Sequence, residues 1–537
     1  MQRILVVWFC LLPIATIAQI NVKYFLDGKL ENTLRVADTL EATAWMQSEK
    51  LRWFAKGHYF FGLDSSKQSA DTTSLYFHLG QSFDFRIGNS SSQSSARKLS
   101  RALNSKINYG YPFASLSFDS LRVSEEQIKG VLQIESGPEI RYDSAIFQNP
   151  ISTRPSYIYQ LLDLQPGSSF SEKAYRDIPK KIARSSFLES MQPPDIAFAQ
   201  NRATVYLQVK EKEANRFRGI FGLQQNTEGR SSVVGSLDLS VQNLFRSGHE
   251  LNLFWERFAG NSQELDLYYK HAFILGSKVS PSVRFSLLKQ DSTFLNRTAA
   301  IGLSTFISSK ITLLLEYESS TATLLQTEVQ QVQGENLADY RRDFYHIGLS
   351  KGFFEQLDSF NEGLVWRFAA GLGRKRILEN ASLPDTFYDS LRLNTDFLRL
   401  EARAALQKVV RKRLTYFHEL RSGIMENAQL LTNELFRVGG LNTLRGFNEK
   451  NFFLNRFALS RLELRSFFEN SSYAFLFYDQ LLANSSGARG APFGIGGGFA
   501  LETSSGQFSF ALASGSSQAQ QLSFNEIRVH FGFITKF

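Results

Sequence analysis

The chain has 537 residues, is 43% hydrophobic and carries a formal net charge of +9. Its 60 basic residues are interleaved with 51 acidic ones, without the clustered basic stretch that marks a nucleic-acid patch, so no nucleic-acid partner is expected. No segment provides the roughly 18 uninterrupted apolar residues of a membrane-spanning helix. In contrast, 48 Phe and 19 Tyr without long apolar runs are typical of membrane strands flanked by aromatic girdles.

The N-terminus predicts export. Arg3 precedes an apolar run from Ile4 to Ile17, and small residues stand just before Gln19. This pattern is typical of a signal peptide over residues 1–18, because the apolar run is too short to span a bilayer. The only cysteine of the sequence, Cys10, lies inside this segment, so the exported protein is expected to have no disulfide.

Residues 19–212 mix helical and strand periodicity and predict three α+β units, over 19–80, 81–137 and 138–212. In the first two units the pattern predicts one helix each and two short strands each. The predicted helices are Leu40–Ala55 and Ala96–Ser105, and the predicted strands are 58–63, 74–79, 115–119 and 130–135.

The third unit has the clearest pattern. A strand is predicted up to Ile146, a helix over Ser156–Leu164, and a second helix from Ser171 to about Ser185. Two strands follow, at 195–199 and 203–209. This β-α-α-β-β order, with the Leu164-Gln-Pro-Gly turn before the second helix, resembles a POTRA domain. The two preceding units are shorter and less typical copies, or an unrelated α+β domain.

From about residue 213 the periodicity changes to two. Around Leu237–Val241, Leu251–Trp255 and Leu398–Ala404, apolar residues alternate with polar or charged ones. Alternation alone would also suit a soluble sandwich. However, about sixteen such segments recur at a spacing of roughly twenty residues, an even number as single-chain bacterial barrels require. We therefore predict a transmembrane antiparallel β-barrel over residues 213–537, closed because an open edge in lipid leaves backbone groups unpaired.

The first and last barrel strands are predicted to form a weak seam. The first strand is expected at about 217–226, with Gly219 and Gly222, and the last at 527–537, with Gly532. Glycine lowers strand stability, although simple barrel curvature would explain the same residues. A last strand that ends on Phe537 resembles the recognition signal of outer-membrane barrels.

A loop of about thirty residues separates the eleventh and twelfth predicted strands, far longer than a usual connection. It contains the stretch from Phe436 to Phe447, whose distinctive residues are Gly439, Gly440, Leu444, Arg445, Gly446 and Phe447. Gly-Gly permits a tight reversal, and an arginine followed by a glycine and an aromatic suits a guanidinium held against a confined wall.

This stretch resembles the signature loop of the outer-membrane assembly and translocation superfamily, the bacterial surface antigen family of barrels fused to POTRA domains. In that family the loop folds into the barrel lumen and its arginine pairs with acids on the wall. The resemblance implies that Arg445 pairs with Asp479 of the thirteenth strand and Glu463 of the twelfth. An ordinary lumen charge is the alternative for each residue. The family usually has a glycine where Leu481 stands here.

Catalysis is not expected. The seven histidines show no metal-ligand spacing, and neither a nucleophile elbow nor a phosphate-binding loop is present. The run Gly494–Gly498 superficially resembles a nucleotide-binding loop, but its place before a strand favours curvature. No metal, cofactor or enzymatic activity is predicted.

The family resemblance implies an outer-membrane protein, with its POTRA units in the periplasm, that inserts or translocates unfolded outer-membrane or secreted clients. It resembles the barrel subunit of the translocation-and-assembly machinery more than the five-unit general insertase. The implied partners are clients and outer-membrane lipid, with periplasmic or lipoprotein accessory subunits left open. The alternative is a two-partner-type secretion pore that exports one dedicated protein, in which Leu40–Ala55 would be a plug helix.

Overall fold

The computed structural model describes residues 20–36, 45–46, 49, 52–54, 56–58, 60–69, 72–82, 84–85, 92–123, 127–225, 231–258, 262–308, 310–325, 336–483, 491–518, 520–523 and 527–536. The predicted signal peptide, Cys10 and Phe537 lie outside this set. No helix within the described part of the chain has the length and apolar character needed to cross a membrane.

The first N-terminal unit is a four-stranded sheet with a helical segment on one face. The strands are Ile20–Leu26, Lys29–Val36, Gly62–Ser69 and Thr72–His78, and the first pairs in parallel with the last. Residues 45–46, 49 and 52–54 are helical. Trp45, Trp53 and Phe54 pack on the buried sheet residues Tyr24 and Phe77. The described residues of the helix predicted over 40–55 therefore pack on the core of this unit.

The next strands and helices follow the predicted order with shifted ends. A helix over Ser92–Asn108 precedes an antiparallel pair, Ser115–Val123 and Gln127–Glu135, whose second strand also pairs in parallel with Asp84–Phe85. The next strand is Arg141–Phe147, followed by a helix at Pro155–Leu162.

The second helix predicted for the third unit is broken in two. Glu172–Arg176 and Ile178–Ile182 are separate short helices, and Pro179 stands in the first turn of the second one. A proline at this position lacks the N–H that a continuous helix would need, so the prediction of one continuous helix from Ser171 to about Ser185 was wrong.

A three-stranded sheet completes the third unit. Its order is Asp195–Ala199, Arg202–Leu207, Arg141–Phe147, and a short pair, Leu188–Ser190 with Val209–Glu211, follows it. Because the strand at 202–207 is paired on both sides, it offers no free edge.

The rest of the chain forms a closed antiparallel barrel in which each strand pairs with its sequence neighbours and the last pairs with the first. This is the predicted sixteen-stranded architecture. The strands are β1 Arg216–Gln225, β2 Ser231–Leu244, β3 His249–Arg257, β4 Gln263–Lys270, β5 Val279–Gln290, β6 Phe294–Phe306, β7 Ile311–Leu324, β8 Tyr340–Lys351, β9 Gly363–Ile377, β10 Asn394–Arg411, β11 Leu414–Asn427, β12 Arg456–Phe467, β13 Tyr473–Ala483, β14 Phe493–Thr503, β15 Gly506–Ser516 and β16 Arg528–Lys536.

The two ends of the barrel differ. β1 follows the third unit along the chain, so connections after even-numbered strands lie at the end where β1 begins, the N-terminal-domain end, and connections after odd-numbered strands lie at the other. Most of the N-terminal-domain-end connections are short, as at 245–248, whereas 325–339, 378–393 and 428–455 at the opposite end are long. Outward-facing apolar side chains such as Ile301 and Leu372 are exposed, as a lipid-facing wall requires.

Residues of the third unit contact the barrel turns at the N-terminal-domain end. The N–H of Arg154 donates to the carbonyl of Arg246 at 2.8 Å, and Asn243 donates to the Thr153 hydroxyl at 2.9 Å. Lys278 pairs with Asp163 at 2.9 Å. The turn after β2 and the turn after β4 are therefore both fixed by polar contacts.

Candidate functional site: the lumen loop and its wall

The loop between β11 and β12 is an ordered hairpin. Phe436–Val438 pairs with Phe452–Leu454, which brings the ends of the signature stretch together. Gly439 and Gly440 have φ values of +134° and +95°, in the region that favours glycine. The N–H of Gly440 donates to the carbonyl of Leu444 at 3.0 Å, which closes the turn that precedes Arg445.

Arg445 is buried against the wall at the two predicted acids. Its Nε and Nη2 donate to Asp479 at 2.7 and 2.5 Å, and its Nη1 donates to Glu463 at 2.6 Å. The guanidinium carbon also lies 3.7 Å from the ring centroid of Phe477. Arg445 and Asp479 are 2% and 0% exposed, so two charges that would be costly alone are compensated by a forked pair.

Glycines on the wall allow the loop to approach this closely. A Cβ on Gly494, which lies opposite Asp479 in the β13–β14 ladder, would come within 1.9 Å of the Arg445 carbonyl oxygen. A Cβ on Gly515 would come within 2.6 Å of the Gly446 carbonyl oxygen. Strand curvature is the explanation that the sequence favours for the glycines of 494–498. The structure shows that the first of them, Gly494, also leaves space for the backbone of the loop.

An apolar cluster packs the same loop against the barrel wall. Its buried members are Val438, Leu444, Phe447, Phe452, Leu454, Leu459 and Leu481. Leu481, at the position where the resembled loop pattern has a glycine, is 0% exposed and belongs to this cluster. This leucine therefore adds packing against the loop, and Asp479 still pairs with Arg445.

A second cation of the loop, Lys450, was not predicted from the sequence and attaches the loop to β3 and β4. The Nζ of Lys450 lies 2.7 Å from Glu256 of β3 and also pairs with Glu264 of β4. It lies 4.2 Å from the ring centroid of Phe258. Nothing in the sequence indicated that Glu256 and Glu264 meet this loop residue.

The loop is therefore attached on both sides of the closing strand pair. Arg445 contacts β12 and β13, Lys450 contacts β3 and β4, and Arg528 of β16 donates from Nε to the Gly446 carbonyl at 3.2 Å. The loop crosses the lumen face of the pair formed by β1 and β16.

The predicted seam is this β1–β16 pair. Within the described residues it has seven residue pairs, as the neighbouring β15–β16 pair has, whereas β9 and β10 share fourteen. Gly219 lies opposite Phe533, Gly532 opposite Ile220, and Gly222 opposite His530. The glycines of both strands thus fall in the same short stretch.

One group of side chains has the composition of a metal site. Potential ligand atoms of Glu316, Glu318 and His346 lie within 4.8 Å of one another. Arg284, however, donates to Glu316 at 2.6 Å and to Glu318 at 3.1 Å, and Arg342 lies 3.7 Å from Glu318. These contacts are those of an ion-pair network on the lumen wall.

No protein-family model and no curated protein matches the chain. Among solved structures it is similar to CdiB from Acinetobacter baumannii, with a TM-score of 0.55 and 11% identity over 98% of this chain and 91% of that chain. CdiB from Escherichia coli gives 0.54 and 13% over 97% of this chain and 91% of that chain.

BamA from Haemophilus ducreyi lacking POTRA domains 1–3 gives a TM-score of 0.46 and 13% identity over 82% of this chain and 94% of that chain. The fold assignment rests on the two CdiB comparisons, whose TM-scores are higher. They confirm the predicted fold class, with N-terminal α+β domains followed by a closed sixteen-stranded barrel.

Proposed function

From a fold shared with CdiB, we propose that this protein is an outer-membrane barrel that inserts or translocates other polypeptides. The observation that carries the proposal is the loop that is fixed across the glycine-containing seam between the first and last strands. Arg445 and Lys450 hold the loop on opposite sides of the β1–β16 pair, and the glycines Gly219, Gly222 and Gly532 all fall in the described part of that pair. A client strand would pair with the exposed backbone of β1 or β16 once the seam opens.

Client capture is proposed at the third N-terminal unit. Asp195–Ala199 is the outer strand of its sheet within the described residues, and four of its five residues are exposed. An extended client segment would add to this edge through main-chain hydrogen bonds. The strand Arg202–Leu207 is excluded as an edge because it is the central strand of this sheet.

The proposal places the barrel in the outer membrane with the N-terminal units in the periplasm. Its partners would be unfolded outer-membrane or secreted proteins and the surrounding lipid, with accessory subunits as an extension. It assigns no catalytic step to the chain.

A dedicated secretion pore is the second candidate. The plug helix that this candidate would place at 40–55 is disfavoured, since Trp45, Trp53 and Phe54 pack in the core of the first unit. The lumen is also occupied by the Arg445 loop.

Locking the seam tests the proposal. Cysteines replacing Phe217 and Thr535, which are register partners across the seam, should form a disulfide and stop insertion of clients into liposomes that hold the purified full chain. A matched pair at Leu364 and Leu406, across β9 and β10, should leave insertion unchanged. Full insertion with the seam oxidised would rule out the lateral route.

Depletion of the protein, followed by mass spectrometry of the outer membrane and the medium, separates the two candidates. Loss of many barrels supports an insertase. Loss of one secreted protein, with the barrels intact, supports the dedicated pore.

A further inference from the structure

The connection between β8 and β9, residues 352–362, folds into the barrel at the N-terminal-domain end. It contains a short 3-10 helix, Phe354–Asp358, whose Leu357 is 1% exposed. Leu357 packs on a wall cluster of Val365, Ala405 and Phe417. Phe417 lies opposite Glu463 in the β11–β12 ladder and shares its lumen face, so Leu357 lies inside the lumen.

Two buried polar side chains of the wall bind the backbone of this turn. Arg465 donates from Nη1 to the carbonyl of Leu357 at 2.7 Å and to Gln407 Oε1 at 2.8 Å. Gln407, 0% exposed, donates to the carbonyls of Ser359 and Asn361 at 2.7 and 2.9 Å. Withdrawal of the turn would leave these buried donors without carbonyl acceptors, which is costly.

The turn and the signature loop meet at one carboxylate. Glu463 accepts from Arg465 Nε at 2.7 Å through one oxygen and from Arg445 Nη1 at 2.6 Å through the other. The loop enters from the opposite end of the barrel, so the two segments occupy neighbouring parts of the lumen. Asp358 of the turn also lies 3.7 Å from Arg218 of β1.

We propose that residues 352–362 are a second lumen plug that seals the barrel independently of the signature loop. Either plug alone blocks the conduction path, so ions cross freely only when both are displaced. The inference does not depend on the proposed function, because it concerns the occupancy of the lumen and not the handling of a client.

Ion conductance of the full chain in planar bilayers in KCl tests the two plugs. Four proteins are compared: the natural chain, Arg445→Ala, a chain in which residues 353–361 are replaced by Asn-Gly, and the combination of both changes. The mean current of the combined variant should clearly exceed the sum of the two single-variant currents, as expected for two seals in series. No gain when the shortened turn is added to Arg445→Ala would overturn the proposal.

A milder variant keeps the test decisive if the shortened turn fails to fold. Gln407→Leu removes the two bonds to Ser359 and Asn361, together with one acceptor of Arg465, and leaves the turn sequence intact. In the Arg445→Ala background it should also raise the current, and it should speed thiol labelling of a cysteine placed at Ser359. Arg456→Ala, which removes the exposed Arg456–Glu426 pair on the same strand as Arg465, should change neither. An unchanged current and unchanged labelling in the Gln407→Leu chain would refute the plug.

Discussion

Replacing Arg445 with alanine should release the loop and leave the barrel folded. The change removes three charge-assisted hydrogen bonds of 2.5 to 2.7 Å. Glu463 keeps its pair with Arg465 at 2.7 Å, whereas Asp479 keeps only a backbone N–H at 3.2 Å and Arg461 at 3.9 Å. The uncompensated Asp479 therefore dominates the loss.

Removing one partner of a buried ion pair costs about 3–5 kcal/mol. At about 1.4 kcal/mol per factor of ten, the ratio of released to seated loop should rise roughly 100- to 4,000-fold. The substitution removes no hydrogen bond between barrel strands, so the variant should stay folded and should migrate faster in unheated than in heated gel samples.

The assay is thiol labelling of a cysteine placed at Asn442, in the turn of the loop. Labelling should accelerate strongly in Arg445→Ala. The matched control is Arg456→Ala, whose pair with Glu426 has side chains 58% and 40% exposed and should contribute no more than about 1 kcal/mol. Equal labelling rates in the two variants would refute the argument that the buried fork seats the loop.

Three further changes probe other parts of the structure. Gly494→Ala should displace the loop, since a Cβ at this position would meet the Arg445 carbonyl oxygen at 1.9 Å. The control Gly348→Ala, whose added Cβ has its nearest neighbour at 3.5 Å, should not displace it. Labelling of the cysteine at Asn442 distinguishes the two variants, and equal labelling rates would contradict the close approach of the loop to Gly494. Lys450→Gln should weaken the attachment of the loop near residue 450 by roughly 1–3 kcal/mol, because the buried Glu256 loses its cation. In limited proteolysis, the part of the loop around Arg445 should stay protected and the part around residue 450 should be cleaved. Protection of the whole loop would argue against Lys450 as an attachment point. Burial raises the pKa of Glu211, but hydrogen bonds from Thr153 and Ser152 outweigh it and hold the pKa below its ordinary value. That stabilisation is present above pH about 4.3 and is lost as the pH falls through the lower folded-state pKa. Glu211→Gln should therefore speed amide exchange of these two residues at pH 7 but not in strong acid, and a difference that persists in acid contradicts this assignment.

Periodicity determined the barrel. Alternation with period two and an even number of segments predicted sixteen strands, because a strand with one lipid face and one lumen face must alternate and the sheet must close. The loop motif was more informative, because its resemblance to a known family implied that Arg445 pairs with Asp479 and Glu463. The N-terminal units were predicted less well. The hairpin of Ile20–Leu26 and Lys29–Val36 was missed, although Asp27-Gly28, both at positive φ, is a two-residue turn that the sequence displays openly.

The tertiary structure alone decided which distant segments meet. Gly494 and Gly515 lie on the wall where the loop backbone presses closest, and nothing local to those residues indicates a carbonyl about 2 to 3 Å from the missing Cβ. Lys450 finds acids nearly two hundred residues earlier in the chain. The lumen plug at 352–362 is likewise recognisable only once Arg465 and Gln407 are seen to bind its carbonyls. Sequence periodicity states which face of a strand a residue occupies, whereas closure of the barrel decides which other residues share that face.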